Sequence, residues 1–367
     1  MRERLMPREI VHWDVLERTR QELIACGERH ASASLTQHPV AAFLGAVAHD
    51  APYYYRFGRG DSFEVVAESL HGGNGEDPLA PLKVLANDIL QEENPKIRTM
   101  LWSFLLGMVS HYATDIHFHP LVYYLTGDYY DPQPRKREIA RAKHRLFEVY
   151  LDQWFRPRVS LPRATLADYR IDKLISALGN DFEVICELLE RNLVPEKLSS
   201  LHSRTLTLSS GKNWRESFKL MGRLQRLFLA PSAGHVMWFV HRVTGGRFAA
   251  VDALFSYDRD KAADIYFQNP IEYRYPTSGE NARRSVTELR DLAVSECVTL
   301  AELLAPVLSG AERKTEALFG SVKGKSMGLG VIGASIHDFR YASPQPVPLA
   351  GFELSPKNSS HSSPNVW

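Results

Sequence analysis

The chain has 367 residues, with 44 Lys and Arg against 43 Asp and Glu, and 44% hydrophobic residues. That length can bury a sizeable core, and the balanced charge excludes a global basic field for nucleic acid or an anionic membrane. No apolar run approaches the ~20 residues that span a bilayer, and the odd, scattered Cys26, Cys186 and Cys297 read as buried thiols rather than disulfides or ligands.

Taken in order, the chain reads as mostly helical. MRERLMPREIVHWDVLERTR alternates charged and apolar residues and lacks the apolar stretch of a signal peptide, so a cytoplasmic location is expected. Apolar residues at helical spacing in IVHWDVLERTRQELIACGE predict a first helix that stops near Gly27. HPVAAFLGAVAHDAPYYY predicts a short helix that Pro52 closes soon after Asp50. Residues 59–79 read as a loop with a short helix, and His71 stands at the edge of a Gly-rich turn. Helices are predicted over 80–92 and 95–125, then a break at TGDYYDPQP, then a helix in REIARAKHRLFEVYLDQWF.

Beyond residue 160 the helical patterns are DYRIDKLISALGNDFEVICELLERNL, WRESFKLMGRLQRLFL and a long run from ARRSVTELR to TEALFG. Residues 267–281 read as a loop, and the Ser/Pro/Asn-rich tail 346–367 as disordered. The expected architecture is all-α: one helical domain over residues 1–345, with the residues of interest in 1–155, additional helices in 156–345, and no internal repeat.

Histidine breaks the blandness. Nine of the 14 lie between His12 and His144. LGMVSHYATDIHFHPLVYY is a mostly apolar run that carries three of them and an aspartate, and such groups are costly to bury unless something neutralises or coordinates them. His111, Asp115 and His119 stand at i, i+4 and i+8, on one helical face about 6 Å apart per step. The outer histidines are then ~12 Å apart along the axis, too far for one ion to join, so the spacing suggests two ions with Asp115 able to bridge. His117 points off this face. HRLFE supplies His144 and Glu148, again at i, i+4, for which His119 is a third partner. Either helix pair alone is weakly specific; its competing reading is a solvated face or satisfied core histidines. Asp50, His71 and His12 join by neighbourhood, each more often structural than a ligand when taken singly.

The order of these residues resembles the zinc-dependent phospholipase C family, whose relatives include single-strand nucleases and the catalytic domain of glycosylphosphatidylinositol-specific phospholipase D. The resemblance is carried by His12, FLGAVAHD ending in Asp50, His71, SHYATDIHFHP with His111, Asp115 and His119, and HRLFE with His144 and Glu148. It covers roughly the first 150 residues. It implies a phospholipase C/nuclease-like bundle with a metal cluster in the core. It further implies one zinc held by Asp50, His71, His111 and Asp115, a second by His119, His144 and Glu148, and His12 with Asp115 contributing to a third. Secreted members complete that third site with the amine and carbonyl of an N-terminal Trp, whereas here Trp13 follows the histidine. Two ions firmly held and a third weak or absent are therefore expected. The short interval from Asp115 to His119 fits the phospholipase D branch better than the secreted phospholipases.

Such a ligand set suits phosphoester hydrolysis, with Asp50 and Asp115 as the catalytic carboxylates and Asp50 as the group that takes a proton from water. Two Zn²⁺ against three carboxylates leave a net positive site for a phosphodiester anion. The expected substrate is a phospholipid headgroup or another phosphodiester, with peripheral membrane contact left open and no stable nucleic-acid binding. Tyr53, Tyr54, Tyr55, Tyr123 and Tyr124 flank the ligands and could hold a quaternary ammonium or stack a base, against the plainer reading of core packing. The alternatives are a nuclease-like phosphodiesterase on single strands and a non-catalytic helical protein that keeps the metal cluster for stability.

Overall fold

Every residue from Met100 to Ile116 is buried. A helix buried all round its circumference belongs at the centre of a fold, and here it organises the rest. The computed structural model describes residues 9–55, 63–159, 170–193, 213–228, 234, 236–237, 239–240, 243–244, 261–309, 322–345 and 347–349. Among these, twelve α-helices and one two-stranded hairpin bear out the all-α expectation.

The helices are α1 (Glu9–Ala25), α2 (His30–Gln37), α3 (Pro39–Gly45), α4 (Glu64–Leu70), α5 (Leu79–Leu90), α6 (Pro95–Thr126), α7 (Pro134–Phe155), α8 (Ile171–Leu178), α9 (Asn180–Asn192), α10 (Asn213–Phe228), α11 (Lys261–Gln268) and α12 (Val286–Leu308). The central α6 starts where the Asn94 side chain accepts from the Lys96 and Ile97 amides and Pro95 takes the first turn. Around it pack α1, α2, α3, α5, α7 and α12. One core cluster gathers Trp13, Phe104, Met108 and Tyr112 with α3, α5, α9 and α12; a second joins Ile10, Phe118, Phe147, Trp154 and Phe267.

Two glycines set the closest crossing. A Cβ on Gly107 would lie 2.0 Å from the Ala42 carbonyl oxygen, and one on Gly45 2.0 Å from the Phe104 oxygen. Helices α3 and α6 therefore meet backbone to backbone. On the other side of α3, Trp13 Nε1 donates to the Phe43 carbonyl at 2.9 Å and fixes α1. The buried Asp152 of α7 accepts from the Ile10 and Val11 amides at 3.2 Å each, capping the start of α1.

Several boundaries differ from the sequence reading. Helix α3 ends at Gly45 rather than near Asp50, because the chain tightens: the Val47 and Ala48 amides bond to Leu44 and Gly45, three residues back. A 3₁₀ turn, Ala51–Tyr54, follows. The pattern over 168–193 breaks into α8 and α9 at Gly179. Residues 267–281 are not a plain loop. Strands β1 (Ile271–Arg274) and β2 (Asn281–Arg284) pair antiparallel, with Ile271 and Tyr273 turned inward. The period-two signal was present in IEYR but only four residues long. The same hairpin claims Ala282–Arg284, read as the start of a helix; α12 begins after Ser285, which caps it in a reciprocal box with Glu288. Val347 and Leu349 are buried in the second cluster, and residues 350–367 lie outside the described residues, as do 310–321.

Candidate metal centre

Four turns of α6 carry Gly107, His111, Asp115 and His119 along one face. Gly107 brings α3 close enough for the Ala46 carbonyl to accept from His111 Nδ1 at 2.8 Å. The His71 ring, at the C-terminal end of α4, makes the same contact to Ala67 O at 2.7 Å, and His119 makes it to Met327 O at 2.9 Å. Each ring is thereby fixed with Nδ1–H on a carbonyl and Nε2 aimed inward, the arrangement that orients a metal-binding imidazole.

The Nε2 atoms converge on Asp115. His111 lies 3.1 Å from Oδ2 and His71 3.5 Å from it; His12 lies 3.6 Å and His119 3.7 Å from Oδ1. His71 also reaches Asp50 Oδ1 at 3.4 Å, while Glu148 Oε1 is 3.1 Å from His144 and 3.7 Å from His119. Ligand atoms about 2.0–2.1 Å from a tetrahedral zinc are separated from each other by roughly 3.3 Å, so these spacings suit groups that share ions. His111 Nε2 and Asp115 Oδ2 are buried with no hydrogen-bond partner, a cost that a cation between them would remove. Three sets have ligand atoms within 4.8 Å of one another: Asp50, His71 and His111; His119, His144 and Glu148; and His12, His111 and Asp115. All eight side chains singled out in the sequence are thus brought together. His117 points elsewhere, its Nε2 3.8 Å from Glu296.

Electrostatics follow from burial and neighbours. Burial works against the charge on Asp115, but His119 and His111 outweigh it and hold the carboxyl well below its usual range. Burial likewise opposes charge on His71, yet Asp115 and Asp50 lift its pKa to about 10. Burial and the adjacent His111 ring depress His12 to about 3, against the pull of Asp115. Without a cation, the cluster therefore balances its carboxylates by holding a proton on His71. The floor is sealed, with the His111 and Asp115 side chains 0% and 4% exposed, while Asp50, His119 and Glu148 reach 20%, 15% and 15%. A reactant meets the centre from that open edge. Beside the centre, a cavity of about 30 Å³ between α1, α6 and α7, lined by His12, Asp115, His119, Glu148 and Asp152, has room for two or three waters.

Several participants escaped the sequence reading. His49 is fully buried, its ring stacked on His111 at 4.7 Å, and neither nitrogen has a partner; its place beside Asp50 in AHD was the available signal. The segment 326–336 closes over the centre. The Met327 amide donates to His71 O, its carbonyl receives His119, and the Ile336 amide reaches Gly73 O. Gly330 (φ +69°) sits against Pro120 and the Ile116 carbonyl, where a Cβ would come within 2.8 Å of the proline ring. Pro120 cannot donate to that carbonyl, so the exposed rung is covered by this loop. Nothing local in the loop's sequence marks its role.

The resemblance read from the motifs is borne out: the family model for zinc dependent phospholipase C matches residues 11–192, a span that contains all eight residues of the cluster. Comparison with curated proteins and with solved structures gave no match. The match and the clusters together support a zinc-dependent, phospholipase-like hydrolase.

Proposed function

We propose that the protein hydrolyses a phosphodiester in a phospholipid headgroup, using two metal ions held on either side of Asp115. The observation that carries this reading is the convergence of four imidazole nitrogens on one buried carboxylate, with Asp50 and Glu148 at the solvent-facing edge. Asp50, His71, His111 and Asp115 would hold one zinc and His119, His144 and Glu148 the second; His12 and Asp115 form an incomplete third position. Zinc bound there supplies an acidified water and positive charge for the phosphoryl oxygens.

The chain's own residues do the rest. Asp115 fixes the spacing of the two positions. Asp50, whose other partner is His71, lies at the open edge and accepts the proton of the attacking water. Water adds to phosphorus, the P–O bond to the glycerol oxygen breaks, the departing oxygen takes up a proton from solvent while Asp50 returns its own to solvent, and the products are an alcohol and a phosphomonoester. The Tyr53 ring lies 5.8 Å from His71, Tyr123 5.8 Å from His119, and Tyr129 5.2 Å from His144; Tyr130 bonds to Tyr53. Arg141 already stands over the Tyr129 and Tyr130 rings, 4.7 and 5.9 Å from their centres, so the reading of a quaternary ammonium headgroup rests on Tyr53.

The test is turnover of a chromogenic phosphocholine ester against single-stranded DNA, with and without chelator. Chelator-sensitive cleavage of the ester supports the reading. Cleavage of DNA alone would replace it with a nuclease. A chelator that lowers the melting temperature where neither substrate turns over would leave a structural cluster.

A further inference from the structure

Three imidazoles stand parallel at the floor of the metal centre. The His12 ring lies 4.1 Å from that of His111 with 3° between their planes, and the His49 ring lies 4.7 Å from it with 15°. Two rings stacked on one face of an imidazole would touch each other. His12 and His49 make no ring contact with each other among the described residues, so they cover opposite faces of His111. His49 also meets the His71 ring at 5.9 Å, close to perpendicular. It belongs to none of the three sets of ligand atoms. It is fully buried, and neither of its nitrogens has a hydrogen-bond partner. A buried polar atom left unpaired is costly. The side chain is therefore held for the flat face it presents, not for its nitrogens.

We propose that His49 is a positioning residue of the metal centre: with His12 it clamps the His111 ring and so aims Nε2 at the position shared with Asp50 and His71. The proposal rests on the two-ion reading above. The bond from His111 Nδ1 to Ala46 O, 2.8 Å, pins one atom of the ring but leaves the ring able to tilt about it, because a hydrogen bond tolerates a broad range of angles. A metal–ligand distance tolerates only about 0.2 Å. Rings pressed on both faces remove the tilt that the hydrogen bond permits. The turn after α3 supplies these parts together. Its Val47, Ala48 and Ala51 amides each bond three residues back and keep it tight. Ala46 then presents the carbonyl, His49 the plate and Asp50 the carboxylate. An aliphatic side chain of similar bulk would fill the space without offering a flat face.

The experiment is equilibrium titration of the metal-free, full-length protein with Co²⁺ against a competing chelator, followed by the visible absorption of the bound ion, for the parent, His49→Phe and His49→Leu. No substrate enters the measurement. The parent should bind two ions. H49L should hold the ion of Asp50, His71 and His111 roughly 10- to 100-fold more weakly, with an altered absorption band, and the ion of His119, His144 and Glu148 as the parent does. H49F should restore the parental affinity and band. H49L binding like the parent overturns the proposal and leaves the two-ion centre standing. H49F binding as weakly as H49L also overturns it, and gives the role to a ring nitrogen. Equal weakening of both positions in H49L overturns it in favour of plain packing. A parent that takes up no ion ends both the metal centre and this inference. A parent that binds two ions but cleaves no ester removes the hydrolytic reading and leaves the clamp intact. Should either variant fail to fold, the other decides: H49L equal to the parent, or H49F weaker than it, is the refuting result.

Discussion

Gly107→Ala tests the claim that the α3–α6 contact positions the metal centre. The new methyl would start 2.0 Å from the Ala42 carbonyl oxygen and 2.8 Å from the Ala46 amide nitrogen. Carbon–oxygen contacts relax at about 3.3 Å, so the helices must separate by roughly 1 Å. Both obstacles are backbone, and neither can swing aside. That displacement stretches the His111 Nδ1 to Ala46 O bond, now 2.8 Å, beyond hydrogen-bonding range and frees the ring to rotate. Overpacking costs about 1–3 kcal/mol and the lost buried bond about 1–3 kcal/mol. The better helix propensity of alanine returns about 1 kcal/mol. The net is roughly 3 kcal/mol, which for a chain of this size lowers the melting point by about 5–10 °C. Differential scanning fluorimetry and elemental analysis on the same preparation read both consequences. A variant that melts like the parent and carries full zinc would refute the reasoning, because His111 would then be held by something other than this crossing.

Asp115→Asn keeps the shape of the side chain but removes the charge that four histidines share. Zinc content should fall by at least half and turnover by three or more orders of magnitude; unchanged zinc by elemental analysis would contradict the bridging role. Because Asp115 and Asp50 lift His71 to about 10, the metal-free centre holds a proton at neutral pH that an entering ion must expel. Zinc affinity should therefore rise with pH up to about 10, and calorimetric titration in two buffers of different ionisation enthalpy should count at least one proton released; none released at neutral pH would count against the cluster as described. The sign for stability runs the same way: a raised histidine stabilises the metal-free fold below its ordinary pKa of 6.5 and loses that contribution as pH rises through about 10, so the melting-point gain from zinc should widen in alkali. Glu296, held low by His117 and Lys325 against its partial burial, stabilises the fold above its ordinary value of 4.5 and loses the contribution as pH falls below it. Glu296→Gln should flatten that acid limb of the melting curve, and an unaltered limb would place the effect elsewhere.

What the sequence made legible is what repeats along one helix. His111, Asp115 and His119 were readable because a helical period of four residues dictates a shared face, and His144 with Glu148 for the same reason. Asp50, His71 and His12 were readable only as members of an ordered series, since each depends on tertiary packing that no local pattern encodes. The Met327 carbonyl was not readable at all: any residue presents a carbonyl, and its contact with His119 spans 208 positions. His49 was overlooked because a stacked, unligated ring leaves no spacing signature. The β-hairpin was missed for a related reason, as four residues are too few for alternation to stand out from a loop.

The crossing at Gly107 and the loop at Met327 share a logic. A metal site needs its imidazoles oriented before the ion arrives, or the ordering cost is subtracted from binding. In this fold three Nδ1–H groups are fixed by main-chain carbonyls rather than by side chains. Main-chain acceptors carry no net charge, so they leave the cluster's electrostatics to Asp50, Asp115 and Glu148. They also tie each ring to a different segment: the turn after α3, the last turn of α4, and the loop 326–336. The inner shell is therefore assembled only when both halves of the chain are folded together. Loss of the 326–336 contacts should release His119 first, since its ring has no other backbone anchor among the described hydrogen bonds, while His111 stays fixed by α3. On this reasoning a Met327→Pro chain keeps the carbonyl that receives His119 but loses the amide that pins the loop to His71 O, so its zinc content by elemental analysis should fall only as far as the loop lifts away, and unchanged zinc would show that the carbonyl alone suffices to hold His119.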